Sequence, residues 1–76
     1  MVRREKDYPA LIKTVRAQLD LSQEDLAREI GVSYATVNRW ENGQVKPSKL
    51  AKARLGAFCA DMVERGKLKL PPGLYD

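Results

Sequence analysis

The sequence predicts an all-α fold, a compact bundle of four, at most five, helices. Apolar residues recur at three- and four-residue spacing along most of the chain, and no region is rich in strand signals. Serine starts and glycine stops separate the helical segments. The 76 residues suffice for one small domain, and a content of 43% hydrophobic and 32% charged residues is typical of a globular chain.

Composition and charge restrict the function before any motif is considered. The net charge of +4 favours a polyanionic partner. A single cysteine and no histidine exclude a disulfide framework and a Cys/His metal site, and they remove the commonest general base. We therefore expect no enzyme activity, cofactor or metal. No apolar run has the length of a membrane span or a signal peptide, so a cytoplasmic protein without membrane contact is expected.

The chain is expected to divide into three parts. Residues 1–6 form a flexible basic arm, residues 7–66 form the helical domain, and residues 67–76 form an extended C-terminal tail. The first helix begins around Pro9, because proline is tolerated in the first turn of a helix. Its core face is marked by Leu11, Ile12, Val15 and Leu19.

The second helix has clear start and stop signals. The Ser22 hydroxyl can cap its backbone amides, and Asp25 can complete a capping box. Leu21 and Leu26 flank the cap as a hydrophobic staple. Gly31 ends the helix, because glycine adopts a positive φ without a Cβ penalty.

Two further helices are predicted. The third starts at Ser33 and ends near residues 42–43. After a short loop, Ser48 caps a long fourth helix that is expected to end at about Gly66.

From Leu21 to Gly43 the chain reads LSQEDLAREIGVSYATVNRWENG. In its start, its turn glycine and its RWENG ending, this segment resembles the phage repressor and Cro-like helix-turn-helix family, which includes regulators of the xenobiotic-response-element type. The resemblance extends over roughly Leu11 to Leu55. It implies a repressor-like helix-turn-helix domain whose third helix enters the major groove of double-stranded DNA. It also implies transcription regulation at the nucleoid, generally by a dimer on a two-fold-related operator. From the apolar surplus at Phe58, Met62, Val63, Leu68 and Leu70 we expect a weak homodimer in solution and a firmer one on DNA.

The outward side chains of the third helix are the candidate base contacts. They are Tyr34, Ala35, Thr36, Asn38 and Arg39. Arg39 can donate two hydrogen bonds to guanine, and Asn38 can pair with adenine or contact a phosphate. Ala35 and the Thr36 methyl can contact thymine, while Tyr34 can pack on the backbone or reach a base edge. The alternative is a solvated helix face without a ligand.

A second set of residues is expected to contact phosphates. They are Gln23, Asn42, Gly43, Gln44, Lys46, Lys49 and Arg16. The resemblance implies that Gln23 binds a phosphate and braces the third helix. It also implies a second phosphate clamp after that helix, made of backbone amides and short polar side chains. For the lysines a plain role in solubility remains open, and Gln23 can also be a solvated polar residue.

Arg16 and Glu41 are expected to form an ion pair between the first and third helices. The resemblance implies this pairing, and a buried carboxylate needs a partner. The alternative is two independent surface charges. In the paired state Arg16 would orient the first helix and would also lie near a phosphate.

The chain departs from the family pattern after Leu55. One long helix is expected to reach about Arg65, where the family usually has a break and a short fifth helix, so the family's usual dimer surface does not carry over. The apolar residues of the tail are Leu68, Leu70, Leu74 and Tyr75. They either fold back on the core or contact a second copy of the chain.

Two other functions stay open from the sequence. Helix-turn-helix folds also occur in protein-interaction modules such as antitoxins, and the tail would then bind the protein partner. Alternatively, the chain is the DNA-targeting domain of a larger protein. Salt separates DNA binding from docking, because counterion release weakens DNA binding steeply as salt rises, whereas an apolar contact is insensitive to it.

Overall fold

The computed structural model describes residues 7–70, which form four α-helices in chain order. They are α1 (Tyr8–Leu19), α2 (Gln23–Ile30), α3 (Tyr34–Glu41) and α4 (Lys49–Glu64). The predicted all-α fold is confirmed, since residues 7–70 contain no strand. The predicted basic arm at residues 1–6 and the tail residues Leu74 and Tyr75 lie outside the described residues.

A side chain caps the start of each helix. The N-cap residues are Asp7, Ser22, Ser33 and Ser48. The capping box of α2 is reciprocal: the Asp25 amide donates to Ser22 Oγ at 2.9 Å, and the Ser22 amide donates to Asp25 Oδ2 at 3.1 Å. Hydrogen bonds from the backbone and then the side chain of Ser22 lower the pKa of the Asp25 carboxyl. The local start signals therefore decide where the helices begin.

Gly31 makes the sharp turn between α2 and α3. Its φ is +84°, and its amide donates to the Ala27 carbonyl at 2.8 Å. Arg54 of α4 donates to the Gly31 carbonyl at 3.4 Å. A Cβ at Gly31 would lie only 2.9 Å from Arg54 Nη1, so a larger residue would be strained in its backbone and crowded by this guanidinium.

One hydrophobic core lies between the four helices. α3 packs against both α1 and α2, and α2 also packs against α4. Trp40 fills the centre and is only 1% exposed. The other buried residues are Tyr8, Leu11, Ile12, Val15, Leu26, Ala27, Ile30, Val37, Ala51, Leu55, Cys59 and Leu68. Because this core is small, each large side chain in it contributes appreciably to folding.

The described part of the tail folds back on the domain. Leu68 is 1% exposed and belongs to the core. Gln18 of α1 holds the backbone of Lys69 at both polar groups: it donates to the carbonyl at 2.6 Å and accepts from the amide at 2.7 Å. Of the two alternatives for Leu68, packing on the chain's own core is the one observed, and no fifth helix occurs within residues 7–70.

Cys59 is a core residue of α4. Its side chain is fully buried, and burial raises the pKa of its thiol to about 11. The thiol therefore stays neutral near pH 7, where the thiolate is the reactive form of cysteine. Residues 7–70 also contain no cluster of acidic residues and cysteine that could hold a metal ion. None of the helices described is long and apolar enough to cross a membrane.

Candidate nucleic-acid interface

α3 has one buried face and one face turned to solvent. Val37 and Trp40 are buried, whereas Arg39 and Ala35 are exposed and Tyr34 is 52% exposed. Of the other two predicted base contacts, Thr36 and Asn38 are each half-buried. All five predicted residues thus lie together on the accessible side of one short helix.

Ser33 and Thr36 are joined at the start of α3. Ser33 Oγ accepts the Thr36 amide at 3.1 Å, and the two hydroxyl oxygens lie 2.8 Å apart. The Thr36 hydroxyl is therefore engaged in the cap. The Thr36 methyl group is not used in this cap and stays a predicted contact for a thymine methyl.

A row of three side-chain amides connects α2 with α3. Asn38 Nδ2 donates to Gln23 Oε1 at 3.1 Å, and Asn42 Nδ2 donates to Asn38 Oδ1 at 3.1 Å. The bond between Gln23 and Asn38 is a brace of the kind expected of Gln23. The bond between Asn38 and Asn42 was not predicted, although their four-residue spacing is a signal for a helical side-chain pair. The structure thus brings together a predicted base contact and two predicted phosphate contacts.

Arg16 and Glu41 lie in direct contact between α1 and α3. A single nitrogen, Arg16 Nη1, donates to both carboxylate oxygens of Glu41 at 2.8 Å. Arg16 Nε also donates to the Leu21 carbonyl at 3.1 Å, which ties the end of α1 to the same point. The Glu41 side chain is 11% exposed and that of Arg16 is 26% exposed, so the pair is partly shielded from water.

The backbone amides that follow α3 close the end of the helix. The amides of Asn42, Gly43 and Gln44 donate to the carbonyls of Asn38, Trp40 and Arg39, at 3.0, 3.2 and 2.9 Å. Gly43 has a φ of +74°, which allows this closure of the helix. The contact of this segment with a phosphate stays a prediction.

Several side chains around this end of α3 are exposed to solvent. Asn42 and Gln44 are exposed, and so are the two lysines of the loop and the start of α4, Lys46 and Lys49. With Arg39 they are exposed cationic and amide side chains of α3, of the loop that follows it and of the start of α4. Such side chains suit the phosphates that border a DNA groove.

Comparison with known proteins agrees with this geometry. A family model described as helix-turn-helix matches residues 12–51, which is more than half of the chain. The matched range contains α2, the turn at Gly31, α3 and the Arg16–Glu41 pair. No curated protein and no solved structure matches the chain.

The partial burial of Arg16 and Glu41 predicts a measurable coupling between them. Replacing either by alanine leaves the other charge without its partner, so each single change should cost roughly 1–3 kcal/mol of unfolding free energy, between the values for exposed and fully buried pairs. A double-mutant cycle, measured by denaturant unfolding, should show a coupling of about 1–2 kcal/mol. The exposed Arg65–Asp61 pair of α4 is the control, with an expected coupling below about 0.5 kcal/mol. Equal coupling in the two cycles would contradict the assigned role.

Proposed function

Because the chain belongs to the phage repressor and Cro-like helix-turn-helix family, a family of DNA-binding regulatory domains, we propose that it binds a specific double-stranded DNA sequence and regulates transcription. Its place of action is then the nucleoid in the cytoplasm. The observation that carries this proposal is the solvent-facing side of α3, bordered by amide and cationic side chains. A helix of this kind fits the major groove of B-form DNA.

Base recognition in this proposal rests on the exposed side chains of α3. Arg39 is the strongest reader, because a guanidinium can donate two parallel hydrogen bonds to guanine O6 and N7. Ala35 and the Thr36 methyl group contact thymine methyls, and Tyr34 contacts a base edge or the sugar-phosphate backbone. The half-buried position of Asn38 makes it a less accessible reader than Arg39.

Phosphate binding in this proposal is the task of side chains at the start of α2 and after the end of α3. Gln23 and Asn42 supply amide donors, and Lys46 and Lys49 supply charge, with Gln44 beside them. The net charge of +4 supports the same assignment, because neutralising phosphates releases counterions. Arg16 contributes less, since its Nε and Nη1 already donate within the protein.

We also propose that two copies bind one site. A single recognition helix reads only a few base pairs, and two half-sites about one DNA turn apart supply the missing specificity. Leu68 is buried in its own domain, which leaves Val63, 47% exposed on α4, with the half-buried Phe58 and Met62 as the candidate contact. Sedimentation should show a weak dimer alone and two copies on a DNA site. One copy at saturation would refute this proposal.

A protein-interaction function through the tail has less support. Leu68 fills the core, and Gln18 holds the backbone of Lys69, so this part of the tail is already used within the domain. Partner binding through residues 67–70 would therefore require them to leave the domain. Steep loss of DNA binding with rising salt favours the DNA-binding function over such docking.

Arg39→Ala and Lys46→Ala should affect DNA binding in different ways. Arg39→Ala should lose roughly 1–3 kcal/mol of discrimination at one base pair, because it removes a base contact. Lys46→Ala should weaken binding to all sequences and flatten the salt slope by about one unit, because it removes a phosphate contact. The measurement is the dissociation constant for a selected duplex and for random duplexes over a range of salt concentrations.

The matched control for these two variants is Lys67→Ala. Lys67 is exposed beyond the end of α4, beside Phe58 and Met62, and is not one of the proposed DNA contacts. It should leave base discrimination unchanged and alter the salt slope less than Lys46→Ala does. If Arg39→Ala and Lys46→Ala act alike on selected and random DNA, the division of roles is wrong.

A further inference from the structure

We propose that Asn42, Asn38 and Gln23 form a directional chain of amide donors that ends on a DNA phosphate, and that Asn38 is a positioning residue for this contact. The inference rests on the proposed DNA-binding function and deepens it. The phosphate contact of Gln23 is already part of that function. What is added is the task of Asn38 and Asn42, which orient Gln23 and strengthen it as a donor, while Asn42 keeps its second Nδ2 hydrogen for a phosphate.

The direction of the chain follows from which atoms are already paired. Asn42 donates its Nδ2 hydrogen to Asn38 Oδ1, and Asn38 donates its own to Gln23 Oε1. Because the oxygen and nitrogen of an amide leave its carbon in different directions, a Gln23 whose Oε1 accepts from Asn38 keeps its Nε2 out of that bond. An Nε2 group carries two donor hydrogens and no acceptor, which suits a phosphate oxygen.

When each amide donates to the oxygen of the next, every hydrogen bond in the row strengthens the others. Each amide that accepts a hydrogen bond on its oxygen becomes a better donor through its nitrogen, because the two groups share one polarised system. The three dipoles therefore add toward Gln23 Nε2. Gln23 is also the first residue of α2, where the positive end of the helix dipole favours an anion. Both effects act on the same terminal donor.

The same bonds make Asn38 unsuitable as a base reader. Pairing with adenine in a bidentate manner requires Oδ1 and Nδ2 of one asparagine to face the base together. Here Asn38 Oδ1 accepts from Asn42 Nδ2 at 3.1 Å, and Asn38 Nδ2 donates to Gln23 Oε1 at 3.1 Å. Asn38 is also half-buried, unlike Arg39 one position later on the helix. Turning Asn38 toward a base would break both bonds.

The row of three amides also determines how the protein is positioned on DNA. It runs from the end of α3 through its middle to the start of α2, so a phosphate bound by Gln23 is fixed relative to the whole of α3. Such a contact sets the register of the helix in the groove without reading a base. Arg39 would then meet one defined base pair.

The row of hydrogen bonds from Asn42 to Gln23 can be tested first without DNA. In two-dimensional NMR spectra of the free protein, Asn42→Ala should shift the side-chain amide resonances of Gln23. The effect should reach Gln23 through Asn38, which is hydrogen-bonded to both residues. Gln44→Ala removes an exposed amide from the same loop and is the matched control. It should leave the Gln23 side-chain resonances in place. An unshifted Gln23 amide in Asn42→Ala would overturn the chain.

DNA binding then tests the role of the chain. Gln23→Ala, Asn38→Ala and Asn42→Ala should each weaken binding to selected and random duplexes alike, by roughly three- to tenfold, the loss of about one hydrogen bond. In a Gln23→Ala background, Asn38→Ala should cause little further loss, because its effect acts through Gln23. Gln44→Ala should cost the same in both backgrounds. Thermal unfolding verifies that each variant is folded.

Three results separate the possible failures. A change of base preference in Asn38→Ala, with unchanged affinity for random DNA, would make Asn38 a base reader and overturn the inference while the proposed function stands. Full additivity of Gln23→Ala and Asn38→Ala would overturn it as well. Absence of any DNA binding by the unaltered chain would overturn the proposed function and this inference with it.

Discussion

The short length of α3 is the constraint on which the rest of the structure depends. A helix of eight residues does not persist alone in water, because its few hydrogen bonds do not offset the entropy of ordering the chain. Burial of Val37 and Trp40 between α1 and α2 supplies the missing stabilisation. The same burial decides which side of α3 remains exposed, so the position of the candidate DNA-binding face follows from the core.

Polar contacts between side chains determine the orientation of α3, in addition to the packing of the core. Glu41 at the end of α3 binds Arg16 of α1, and Asn38 in its middle binds Gln23 of α2. α3 is thus held by polar contacts to two neighbouring helices as well as by its buried side chains in the core. A surface held in this way loses little conformational entropy on binding, which is the advantage of a preorganised site.

Local signals made most of the fold predictable, and long-range contacts account for what was not. Ser22, Ser33 and Gly31 act on residues a few positions away, so the sequence alone predicts the helix starts and the turn. Gln18 and Lys69 are 51 positions apart, and no local pattern predicts that they meet. The amides of Asn42, Gly43 and Gln44 donate to carbonyls of α3, and this depends on the path of the backbone after the helix, which the residue types alone do not determine. The DNA contacts themselves depend on a second molecule and remain predictions.

Selection of bound duplexes from a random DNA pool tests most directly whether the exposed face of α3 reads DNA. The unaltered chain should enrich one sequence with two related half-sites about one turn of DNA apart, as expected for two recognition helices on one face of the duplex. The same selection with Arg39→Ala should lose preference at one base pair of each half-site. A pool that is retained without enrichment of any sequence, or an enriched site that Arg39→Ala leaves unchanged, would contradict the assignment of α3 as the reading element.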